Sequence, residues 1–220
     1  MKPAVALLAA AIAATASGAD SGPRAPAPEQ IAPGITLLRG AMLPMHGPDG
    51  NTVVFDAPEG LVVIDTGRHD WHSDGILALA AARGKPVVAI INTHWHLDHS
   101  SGNGRIKAAH PGARIHTTRA VDRALAEGGF LARNLASQRP LLENPTVSAA
   151  EKAEIAIFVQ TMAERDGLRP DVAVEKGGAR RLAGRGLDLR VTDRAVTDAD
   201  VWVHDRESGI VVIGDLVTLP

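Results

Sequence analysis

The run Val87-Val88-Ala89-Ile90-Ile91 is apolar without a break and passes through Asn92 into Thr93-His94-Trp95-His96-Leu97-Asp98-His99. An uninterrupted apolar run of this length reads as a strand covered on both faces, so the chain must build a sheet with other layers packed against it. His94, His96, Asp98 and His99 then place four potential metal ligands within six positions at the exit of that strand. In extended chain, residues two apart point to the same side, so His94 and His96 can reach one ion. The turn that follows can swing Asp98 and His99 toward a second position. Imidazole and carboxylate suit zinc, and also iron or manganese. The sequence holds no cysteine, which excludes thiolate ligands, disulfides and a cysteine nucleophile.

Around this segment strands and helices alternate, the pattern of an α/β fold. Ile35 to Leu38, Asn51 to Phe55 and Leu61 to Ile64 read as strands, the last two joined by the turn Ala57-Pro58-Glu59-Gly60. Ser73 as a cap, an apolar stripe through Ile76, Leu77 and Leu79, and Gly84 as a stop predict a short helix. Helices are predicted over Asn103 to Ala109, Arg119 to Ala126 and Gly129 to Ser137, with a strand over Ala113 to Thr117. Ser148 and Glu151 form a capping box ahead of Ile155, Phe158, Val159 and Met162. The stretch from about 127 to 167 is therefore a helical insertion. Strand character returns after Asp171 through Leu182, Leu187 to Val191, Val201 to His204 and Ile210 to Ile213.

Twenty-three Lys and Arg against 25 Asp and Glu leave a formal charge of −2, which supplies no basic field for a phosphate backbone and argues against a nucleic-acid partner. Lys2, the apolar run Ala4 to Ala16 and the small residues Ser17 and Ala19 have the layout of a signal peptide over residues 1–19. The run is shorter than the ~20 apolar residues of a membrane span. The expectation is export to the periplasm or beyond, with no stable membrane anchor after cleavage. Residues 20–34 are rich in proline and read as a linker, ahead of a single domain over 35–220.

The order His, any, His, any, Asp, His at 94–99 recurs with two other strings, each ending an apolar strand: Val62-Val63-Ile64-Asp65-Thr66-Gly67 and Gly214-Asp215-Leu216. In this order they resemble the metallo-β-lactamase superfamily, from Ile35 to Pro220, with the helical insertion matching least. The resemblance implies an αββα four-layer sandwich whose second half is incomplete, because the family continues past the equivalent of Pro220 to a final histidine. It implies that His94 and His96 hold a first metal, that Asp98 and His99 belong to a second, and that Asp215 bridges them. Asp65 would support the site from behind, and Asp98 would orient the attacking water. The implied cofactor is zinc, one or two ions, with iron or manganese as alternatives. The implied chemistry is metal-assisted hydrolysis of a small ester, thioester, lactone or amide. Asp215 favours the broader hydrolases over β-lactam cleavage.

Val196 stands where the family carries a further histidine for the first metal. His116, His110, Asp198 or water would complete the site, or the protein would be a metal-binding scaffold without turnover. His46, His69 and His72 read as surface or rim residues. The expected partner is a small-molecule substrate.

Overall fold

Alternation of side chains along the central strands decides which layers the molecule has. The computed structural model describes residues 23–217; the signal peptide expected over 1–19 lies outside them. A seven-stranded sheet holds, in spatial order, β1 (Pro28–Ala32), β2 (Ile35–Leu38), β3 (Thr52–Ala57), β4 (Gly60–Ile64), β5 (Val87–Ile91), β6 (Arg114–Thr117) and β7 (Val172–Ala173). Pairing is antiparallel from β1 to β4 and parallel from β4 to β7. A four-stranded antiparallel sheet follows, built from β8 (Gly178–Leu182), β9 (Arg185–Asp193), β10 (Ala199–His204) and β11 (Val211–Val212).

Along β4, Val62 and Ile64 point toward the second sheet, where they pack with Phe55, Ile91, Leu187, Leu189, Val201 and Val203. Leu61 and Val63 point the other way, against Ile76 and Leu79 of α1 (Asp70–Arg83) and Ile106 of α3 (Asn103–Ala109). α2 is the single turn Leu97–Ser100 between β5 and α3. Each fully buried Val, Leu or Ile contributes roughly 1.5–3 kcal/mol, so the two faces of one sheet anchor a helical layer outside and a second sheet inside. This is the mixed α/β architecture expected from the sequence.

α4 (Ala120–Leu125) precedes and packs with the insertion expected over about 127–167, which comprises α5 (Phe130–Gln138) and α6 (Ala149–Ala163), with 3-10 turns at Arg139–Glu143 and Arg165–Leu168. They share a core of Val121, Leu131, Phe158, Met162 and Leu168, which reaches the main body through Leu97. The capping box forms as read: Ser148 accepts from the Glu151 amide while Glu151 accepts from that of Ser148. α1 stops as expected at Gly84, whose left-handed backbone (φ 60°) turns its N–H back to Ala80 and Ala81. Its start differs, at Asp70 with His69 as the cap, because the Ser73 hydroxyl is turned to the carbonyls of Thr66 and His69.

The linker reading of 20–34 is corrected from residue 28 onward. Residues 28–32 form β1, paired antiparallel with β2. Proline is tolerated at the first position of an edge strand, where the missing N–H costs no ladder bond, and Gly34 takes the positive φ that the return turn requires. Among the described residues, no helix is long and apolar enough to cross a membrane.

Arg185 ties the two sheets together. Its guanidinium pairs with Asp205 at 2.6 Å, donates to the Asp56 carbonyl of β3 at 3.0 Å, and lies 5.0 Å from the Phe55 ring centroid. Burial pushes the Asp205 carboxyl up, but hydrogen bonds from Arg185 and Ser208 outweigh it and leave the group below its usual 3.8. The pair therefore stabilises fully above that value, and its contribution fades as pH falls through the depressed one. Removing one partner of such a pair costs about 3–5 kcal/mol. Asp205→Asn should lower the denaturation midpoint accordingly at neutral pH, with the difference from the parent shrinking in acid; an unchanged midpoint would show that the sheets hold without the pair.

Candidate metal centre

β4 and β5 are parallel neighbours, so their C-terminal ends lie side by side. Asp65 leaves β4 in the left-handed region (φ 59°), which turns its carboxylate toward the exit of β5. There it accepts from the Thr93 amide at 2.8 Å, the Thr93 hydroxyl at 2.7 Å and His99 Nδ1 at 2.8 Å. With Nδ1 held from behind, His99 presents Nε2 forward, 3.3 Å from both Asp98 Oδ2 and Asp215 Oδ1. His94 Nε2 lies 3.8 Å from Asp215 Oδ2. The His94 ring centroid is 4.6 Å from that of His96 and 4.3 Å from that of His99.

Ligand atoms of His94, His96 and Asp215 fall within 4.8 Å of one another, as do those of Asp98, His99 and Asp215. The fold thus brings together all five residues expected to ligate, in two sets that share Asp215, with Asp65 behind them. Asp215 arrives on the 3-10 turn Gly214–Leu216 that follows β11.

The donor chemistry fits a cation. His94 Nε2 is buried and has no hydrogen-bond partner. Burial and the neighbouring His99 push His94 down to about 4, so its ring is neutral and that lone pair is free to ligate. Burial lowers His96 as well. His99 behaves oppositely: burial disfavours its charge, but Asp65, with hydrogen bonds to Asp215 and Asp98, pushes it up to about 12. Asp98 and Asp215 both lie below the usual carboxylate value. For Asp98, the His99 hydrogen bond and charge outweigh burial; for Asp215, the His99 hydrogen bond is the leading cause. A divalent cation would replace the charge of the His99 proton.

None of His110, His116 and Asp198, the residues suggested in place of a histidine at Val196, joins these sets among the described residues. The Asp198 carboxylate pairs with Arg123, and His116 lies within β6. The Val196 loop is held by Asp200, which accepts from the Val196 and Thr197 amides and the Thr197 hydroxyl. Asp200 was not singled out from sequence; its charge is felt by His96.

His69 and His72 are buried, not on the rim. His72 Nε2 contacts the Thr52 hydroxyl at 2.8 Å, and both ring nitrogens of His69 meet carboxylates, Asp49 at 2.8 Å and Glu154 at 3.0 Å. Beside the centre, a cleft of about 300 Å³ is lined by His96 and Asp98 together with the apolar side chains of Trp95, Phe130, Leu131 and Phe158. Most of its apolar wall comes from the insertion.

The profile of the metallo-beta-lactamase superfamily matches residues 47–219. The chain belongs to that superfamily. It is similar to a linear primary-alkylsulfatase of Pseudomonas sp., 42% identical over 50 residues, 22% of this chain and 10% of the relative. It is also similar to a hydroxyacylglutathione hydrolase of Rhodospirillum rubrum, 36% identical over 80 residues, 33% of this chain and 30% of the relative. The chain thus spans less than a third of either of these curated hydrolases. Among solved structures, the stereoselective inverting sec-alkylsulfatase of Pseudomonas sp. superposes with TM-score 0.55 at 18% identity, over 83% of this chain and 30% of that one. A metallo-beta-lactamase family protein of Thermus thermophilus gives TM-score 0.55 at 19% identity, over 84% and 60%. These structural matches bear on the fold: this superfamily member has the metallo-β-lactamase architecture.

Gly50 closes the centre from one side, its amide donating to the Asp98 carbonyl at 2.8 Å. A Cβ added there would stand 2.6 Å from His99 Cε1, and the imidazole, pinned by Asp65, has no room to yield. Gly50→Ala should cost about 1–3 kcal/mol. Chemical denaturation checks this, and an unchanged midpoint would mean that the ring is not held where described.

Proposed function

We propose that this protein is an exported metal-dependent hydrolase, with zinc as the cofactor, acting on a small organic ester, thioester, lactone or amide. The observation that carries the reading is the buried, partnerless Nε2 of His94, facing the point where His96 and the shared Asp215 converge. His94, His96 and Asp215 would hold one ion; Asp98, His99 and Asp215 would hold another, with iron or manganese as alternatives to zinc. A cation there supplies Lewis acidity, bringing the pKa of a water toward neutrality and stabilising negative charge on the substrate oxygen.

The chain's own residues do the remaining work. Asp98, deprotonated and lining the cleft, accepts a hydrogen bond from the attacking water and orients it. Asp65 fixes the His99 tautomer by accepting a hydrogen bond from Nδ1–H. Trp95, Phe130 and Phe158 exclude water and receive the apolar part of the substrate. The composition of residues 1–19 supports export.

A second reading is hydrolysis of an alkyl sulfate ester, favoured by the match to the alkylsulfatase together with the apolar wall of the cleft. Zinc-loaded protein should be assayed against thioester, lactone, β-lactam and alkyl sulfate panels. We expect turnover that a chelator removes, tight metal binding lost in His96→Ala, and a rate loss of at least ~100-fold in Asp98→Asn. Unchanged metal content in His96→Ala would overturn the ligand assignment. Turnover indifferent to chelation would overturn the metal-dependent reading.

A further inference from the structure

Away from this centre, imidazole and carboxylate converge a second time. His46 Nδ1 lies 3.1 Å and His69 Nε2 3.0 Å from the same oxygen, Oε1 of Glu154, and the three ligand atoms fall within 4.8 Å of one another. They come from three separate segments: the loop between β2 and β3, the residue capping α1, and α6 of the helical insertion. His69 and Glu154 are 85 residues apart in the chain. Nothing in the hydrolytic reading uses them.

The support behind His69 repeats that behind His99. Asp49 Oδ2 accepts from His69 Nδ1 at 2.8 Å, as Asp65 does from His99. Asp49 is itself held by the Arg68 and His69 amides and by the Trp71 indole N–H. The Trp71 ring stacks on His69 with centroids 3.9 Å apart and planes within 10°, which fixes the imidazole plane. A histidine whose Nδ1–H donates to a buried carboxylate offers Nε2 as a ligand, the arrangement that orients metal-bound histidines generally. A lone pair on Nε2 facing a carboxylate oxygen is repulsive unless a cation stands between them.

We infer that His46, His69 and Glu154 form a separate divalent-cation site, suited to zinc, that clamps the helical insertion to the loop before β3 and to the start of α1. Two imidazoles and one carboxylate oxygen give three protein ligands, leaving a fourth position for water. Arg68 occupies the other Glu154 oxygen at 3.1 Å, so Glu154 binds through Oε1 alone. The nearby guanidinium also makes this site the weaker of the two regions. The rival state is a protonated His69 bridging Asp49 and Glu154 with no metal.

The test is a titration of the chelator-stripped, full 220-residue chain with Zn²⁺ alone, counted per chain. His46→Ala and Glu154→Gln should each bind one zinc fewer than the parent. His94→Ala, altered in the other centre, should keep this zinc and show a raised thermal midpoint on its addition, a rise that should be smaller in His94→Ala/Glu154→Gln. Equal zinc counts in the parent and Glu154→Gln would overturn the site. A readout needing no variant is acylation of His46 by diethyl pyrocarbonate, mapped by mass spectrometry. Zinc should protect His46, and undiminished labelling at zinc saturation would overturn the inference. Because the two regions share no ligand, loss of this zinc and failure of the hydrolytic centre are separately visible.

Discussion

The geometry of the centre depends on one buried carboxylate. Asp65 sits where β4 ends, in a backbone conformation that costs a non-glycine residue roughly 1–3 kcal/mol, and Asp is among the few residue types that adopt it readily. In return its two oxygens receive the Thr93 amide and hydroxyl and the His99 ring. Its own amide continues the ladder to Ile91, and its carbonyl accepts from the Thr52 hydroxyl at 3.0 Å. Three strands and the turn after β5 are thereby locked to one residue, the strands through its backbone and the turn through its side chain. The parallel pairing of β4 with β5 makes this possible, because it sets the two strand exits next to each other.

Charge then sorts the histidines. Equally buried imidazoles diverge, His94 driven neutral and His99 driven cationic, according to how many carboxylates each one meets. Two acids stand forward of His99 and one behind it, an excess of negative charge that no arginine or lysine neutralises among the contacts described for these three groups. An arrangement of this kind is costly to bury without a cation, which is why the donor set speaks for a metal more strongly than the spacing of His94 and His96 alone.

Much of this was legible in the sequence, for local reasons. The apolar run at 87–91, the stop at Gly84 and the capping box at Ser148 rest on backbone chemistry confined to a few residues, and each forms as read. The five candidate ligands were visible because four fall within six positions and Asp215 belongs to a short recognisable string. What escaped reading was non-local. His69 and His72 looked like rim residues because their partners, Asp49, Glu154 and Thr52, lie 20 or more positions away. β1 escaped because proline content argues against a ladder in general, yet not against an outer strand whose first residue needs no N–H. Asp200 gave no signal, since its role is to hold a loop through backbone amides that any sequence would possess.

Glu154 and Phe158 stand one helical turn apart on α6, which places them on the same side of that helix. The first is gripped by His46, His69 and Arg68, and the second forms part of the cleft wall. The middle of this helix thus joins a polar anchor to an aromatic wall, one turn apart on one face. The 40–49 loop meets both ends of this connection, since His46 grips Glu154 and Asp49 accepts from the amide of Arg68, which lines the cleft, so a change in that loop reshapes what the cleft admits.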